Sequence, residues 1–181
     1  LPFPLQRVDR EFPRSWLLDR ISEHDRLDSW TRPFGPEKVA ECFRAEAEGL
    51  ATAVSIMDRA LQLAEGDDLE RLKLEHGVAK MFWLQLACSA NLVEFLLTRN
   101  ALLQEEDASR CAALLERIEQ LCRQERELVA QALPLLQADP RLGFHGEGYG
   151  YMLTPELLQR KLAHLDANLN EGIAALRAAK E

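Results

Sequence analysis

Between Asp139 and Leu153 the chain gathers the side chains most suited to chemistry: Arg141, His145, Glu147, Tyr149 and Tyr151, interleaved with Gly143, Gly146, Gly148 and Gly150. His145 and Glu147 are of the right types to act as an acid and a base in a small enzyme. Alternating glycine and aromatic residues let the backbone turn sharply while the rings present flat apolar faces. Such faces suit a sugar ring or a partner surface. The simpler alternative is a loop packed over the end of a bundle, its glycines permitting tight turns. Arg141 directly follows Asp139-Pro140, where a helix has just ended. Its five-donor fork is expected to serve the free helix carbonyls and a loop carboxylate such as Glu147, and so to be partly buried. The run Gly146-Glu147-Gly148-Tyr149-Gly150 superficially resembles a nucleotide loop, but no strand precedes it and no βαβ unit holds it.

Outside this segment the candidates thin out. His76 and Glu125 are polar members of otherwise apolar helical stripes, and they could meet in the core as a hydrogen-bonded pair. A di-iron carboxylate site needs Glu-x-x-His, because a spacing of three puts both ligands on one helix face. The residues three before His24, His76, His145 and His164 are Ile21, Lys73, Leu142 and Lys161. No His-Glu-x-x-His is present either. Cys42, Cys88, Cys111 and Cys122 form no Cys-x-x-Cys pair, and all four fall in helical stretches as expected buried thiols. No metal, no cofactor and no catalytic motif is expected in this chain.

The elements that must position these residues are helices. Gly35-Pro36 opens the first, with proline where its missing N–H costs nothing. Val39, Phe43, Ala47, Leu50, Val54, Met57, Leu61 and Ala64 then form one apolar stripe. Gly66-Asp67-Asp68 is expected to end that helix and cap the next, over about residues 69–104. This second helix carries two rows: Leu69, Leu72, His76, Ala79, Trp83, Leu86, Ala90, Val93 and Leu97, and beside it Leu74, Val78, Phe82, Ser89 and Leu96. So broad an arc calls for cover on more than one side. Asp107 is expected to cap a third helix running to about Ala138, kinked or ended early by Pro134. Thr154-Pro155-Glu156 starts the fourth, with Leu158, Leu162, Leu165, Leu169, Ile173 and Leu176 as its stripe.

The expected fold is all-α: an antiparallel bundle of about four long helices in residues 36–181. Before it, residues 1–35 form a proline-rich arm, since five of the chain's eight prolines lie in 1–36. Trp16, Trp30 and Phe34 would anchor that arm to the bundle. The composition is that of a globular protein, 47% apolar and 29% charged. A net charge of -8, with 22 basic residues among 30 acidic ones, argues against a nucleic-acid surface and against an anionic membrane as partner. No uninterrupted apolar run approaches the ~20 residues of a bilayer span. The chain opens Leu-Pro-Phe-Pro, which suggests a piece of a longer protein or a processed one.

The run from Leu135 through Asp139-Pro140-Arg141-Leu142-Gly143-Phe144, followed by Tyr151-Met152-Leu153-Thr154-Pro155-Glu156-Leu157-Leu158 and Lys161-Leu162, resembles the C-terminal helical region of large bacterial glycoside-hydrolase-like proteins, glucuronidase-like or hexosaminidase-like. Ser89-Ala90-Asn91-Leu92, Phe95 and Arg99 are similar to the helix that precedes it there. The resemblance implies an accessory helical domain of a carbohydrate-active protein, whose hydrolytic acids would reside in a separate barrel domain. No catalytic residue carries over. Its implied partners are the catalytic domain of the same parent protein or a glycan, contacted through Arg141, His145, Glu147, Tyr149 and Tyr151. The alternative is a stand-alone interaction module or homodimer that uses the apolar arc of the second helix.

Overall fold

A computed structural model describes Phe3, Leu5, Leu27 and residues 31–145, 150–151 and 153–180. The chain is all-α. Helix α1 (Pro36–Leu61), α2 (Gly66–Gln104) and α3 (Ala108–Ala138) follow one another, then a 3-10 turn (Pro140–Gly143) and two short strands, β1 (Phe144–His145) and β2 (Gly150–Tyr151). The fourth rod is α4 (Pro155–Ala167), a π turn (Asn168–Gly172) and α5 (Ile173–Ala178) end to end. Connections 62–65 and 105–107 leave no room for a crossover, so α1, α2 and α3 run antiparallel, each packed on the next.

The helix starts follow local chemistry. Pro36 is the first residue of α1, after Gly35 at φ 85°. Asp107 Oδ1 accepts the Arg110 N–H at 2.8 Å, and Thr154 Oγ1 accepts the Leu157 N–H at 3.2 Å. Glu156 adds a favourable charge there; its own backbone N–H and the Thr154 hydroxyl hold its carboxyl below the ordinary value. Gly66 does not close α1 as expected. It opens α2 at φ 59°, and the chain reverses earlier, over 62–65. Pro134 does not end α3 early either, because the helix continues to Ala138. Pro134 and Ala130 both lie on the exposed face, where water can meet the carbonyl that lost its donor.

Two apolar clusters stack along the bundle. One joins Val93, Phe95, Leu96 and Leu102 of α2 to Leu115, Ile118 and Leu121 of α3, Leu165 of α4 and Ile173 of α5, with Phe3 and Leu27 inside it. The other joins Met81 and Leu84 to Val129, Ala132, Leu136 and Leu158. By length and composition α2 could cross a membrane, but a core helix covered by neighbours has the same character. Glu94 ties three helices together, taking Arg44 of α1 on one oxygen and Arg117 of α3 on the other. Phe34, expected as an anchor, is 73% exposed, while Trp16 and Trp30 lie outside the described residues. Cys111 and Cys122 are buried free thiols, but Cys42 is exposed. The stripe of α1 explains that difference, since Cys42 sits off the line of Ala40, Ala47 and Val54.

Candidate interaction surface

The second apolar row of α2 is covered along only part of its length. Leu96 is buried, but Leu74, Val78 and Phe82 are each 53% exposed. They lie one turn apart on one helix face, so among the described residues the expected second cover is missing there. Beside them the 3-10 turn after α3 folds back onto α2, placing Leu142 over Gly77, where a Cβ would stand 4.0 Å from Leu142 Cδ1. The result is an open groove of about 610 Å³. Leu74, Val78, Met81 and Phe82 give it apolar walls, Leu142 closes one side, and Glu75, Gln85, Asp139 and Arg141 bring polar groups to it.

Arg141 is placed differently from the sequence expectation. Its fork closes on Asp139, with Nε 2.8 Å from Oδ1 and Nη2 2.7 Å from Oδ2, and not on the carbonyls that end α3. Its side chain is 75% exposed, not partly buried. Asp139 caps the 3-10 turn at the same time by accepting the Arg141 backbone N–H at 3.1 Å, so the nearest carboxylate has already captured the guanidinium. These bonds hold the Asp139 carboxyl below its ordinary value and raise Arg141 further.

The segment beyond is a short hairpin. Phe144 pairs with Tyr151 and His145 with Gly150, antiparallel. Just beyond the ladder, one residue out of its register, the Leu153 N–H bonds the Gly143 carbonyl at 3.2 Å. Gly143 is required by this close approach, because a Cβ would stand 2.0 Å from the Leu153 carbonyl oxygen. His145 and Tyr151 are thus backbone members of one ladder, while Glu147 and Tyr149 lie outside the described residues.

His76 and Glu125 do not meet. His76 Nε2 lies 2.7 Å from Asp58 Oδ1 on α1, near the surface. Glu125 is fully buried and bonds Lys161 Nζ of α4, with Asn91 Nδ2 of α2 donating to it at 3.3 Å. Axial position explains the mismatch: His76 stands near the start of α2 and bonds α1, whereas Glu125 lies level with Asn91, about four turns further along α2. The nearby thiols are poor nucleophiles. Burial, reinforced by the charge of Glu125, pushes Cys88 up, and burial pushes Cys122 up to about 12. Among the described residues no three His, Cys, Asp or Glu side chains converge as a metal site.

The groove residues Met81, Gln85 and Leu142 were not singled out from sequence. The signal that could have found the groove is the width of the α2 arc, broader than α1 and α3 can cover along the whole helix. Comparisons of the chain with protein families, with curated proteins and with solved structures found no match.

Proposed function

We propose that the chain is a non-catalytic helical interaction module that docks a protein neighbour through the groove between α2 and the 139–142 turn. One observation carries this reading: Leu74, Val78 and Phe82 form a continuous row of large apolar side chains left half open to water. Exposing such a row has a cost that a partner would remove. Helix-in-groove recognition needs a partner with apolar residues at i, i+3 or i+4, and i+7. The net charge of -8 disfavours a second copy and favours a basic partner. The likeness of residues 135–162 to the helical tails of glycoside-hydrolase-like proteins supports an accessory role, with the catalytic domain of a carbohydrate-active parent as neighbour. A glycan is the second reading. It is favoured by the ring of Phe82 sharing the groove with Asp139 and Arg141.

The test uses an amphipathic Leu/Lys helical peptide, its Leu/Glu counterpart and a panel of soluble oligosaccharides. The Leu/Lys peptide is expected to bind the native chain and to lose at least about tenfold in affinity against Leu74→Gln/Phe82→Gln. That variant changes no charge and keeps good helix formers, so circular dichroism should match the native chain. Absence of peptide binding, or binding indifferent to the variant, would sink the proposal. Saturable oligosaccharide binding lost in the variant would replace it with the glycan reading. A dimer in sedimentation that the variant dissolves would make a second copy the occupant.

A further inference from the structure

Phe3 and Leu5 are seated in a socket made by α2, α4 and the π turn. The Phe3 ring is buried against Phe95, with centroids 4.5 Å apart, and Lys161 Nζ lies 5.6 Å from its centre. The Phe3 carbonyl oxygen accepts from Asn168 Nδ2 at 2.8 Å and lies 3.0 Å from His164 Nε2. Leu5 fills the space that Gly172 leaves open, since a Cβ there would stand 2.5 Å from Leu5 Cδ1. Asn168 and Gly172 begin and end the π turn, an irregularity frequent at binding sites.

These are the parts of a peptide-recognition site. Side-chain donors read a main-chain carbonyl, an aromatic pocket reads one residue, and a notch reads the residue two further on. We infer that the socket is a binding site for a short Phe-x-Leu segment, filled in this structure by the chain's own Phe3 and Leu5 and open to the same pattern supplied in trans. Emptying it leaves the Lys161 ammonium paired, because Lys161 keeps its bond to Glu125. Asn168 Nδ2 and His164 Nε2 lie 3.5 Å apart and remain within reach of each other. The polar wall therefore survives release of the occupant.

The experiment titrates a fluorescent peptide with the sequence of residues 1–10 into the native chain and into Phe3→Ala/Leu5→Ala, reading anisotropy. The variant should bind at least about tenfold more tightly than the native chain, where the internal segment competes. Adding Asn168→Ala should weaken that binding at least about fivefold, and a peptide carrying alanine in place of phenylalanine should not bind. No saturable binding to a double variant with native circular dichroism would overturn the inference, as would equal affinity for both chains. If the double variant loses its helical signal, Leu5→Ala alone takes its place, leaving the Phe3 ring on Phe95. It should still bind at least about threefold more tightly than the native chain. Equality there overturns the inference as well.

Discussion

Asp139 receives three bonds from Arg141, through the backbone N–H, Nε and Nη2, and this small knot sets the edge of the groove. The pH consequence has a definite sign. A carboxyl whose folded value is depressed stabilises the fold fully above its unfolded value, and that contribution is lost as pH falls through the folded one. For Asp139 the loss falls below about pH 4, the ordinary carboxylate range. A carbon-detected titration should find Asp139 titrating below the ordinary carboxylate range, and Arg141→Gln should bring it back toward that range. An unchanged midpoint in Arg141→Gln would show that the ion pair does not form in solution. Arg141→Lys should matter little to stability, since this guanidinium is exposed and holds up no buried carbonyl.

Among the elements, α3 carries a defect it tolerates. Pro134 removes one backbone donor within a helix that nevertheless continues to Ala138. Proline in a helix interior costs roughly 3 kcal/mol against alanine, less here because the site is exposed and lies near the helix end. Pro134→Ala should therefore raise stability by about 1–3 kcal/mol, seen as a higher urea midpoint with unchanged slope. A lower midpoint would mean that the proline ring packs against the half-buried Leu133 or Leu135. The fourth rod absorbs a different irregularity. Leu165, Leu169 and Ile173 are spaced by four twice in succession, which carries an ideal α-helix past its buried face. The π turn Asn168–Gly172 widens one turn and keeps Leu165 and Ile173 both inside.

Across the whole molecule, a polar layer of Asn91, Glu125 and Lys161 lies between the two apolar clusters and links α2, α3 and α4. Removing one partner of a buried pair leaves an uncompensated charge, whereas removing both leaves none. Lys161→Met alone should cost about 3–5 kcal/mol, and Glu125→Met/Lys161→Met should recover most of that loss. Denaturant melts of the single and double variants decide it. A double variant as unstable as the single one would show that the layer is wanted for its hydrogen bonds and fit, not for charge balance.

The sequence by itself determined the helices, because helix formation is encoded locally. Apolar spacing of three and four, Asp107 and Thr154 as caps and Pro36 and Pro155 as first residues all act within a turn or two of where they stand. It also marked the 139–153 segment as unusual and Glu125 as an inward-facing polar group. Tertiary structure alone decided the partners. Glu125 took Lys161 and not His76, Arg141 took Asp139 and not the α3 carbonyls, and Phe3 found Phe95 across 92 residues of chain. It also decided which part of the α2 arc stays open at Leu74, Val78 and Phe82. A helical stripe fixes direction around one axis only. Which neighbour lies in that direction, and where its cover stops, depends on helix phase and axial offset, which no single segment encodes.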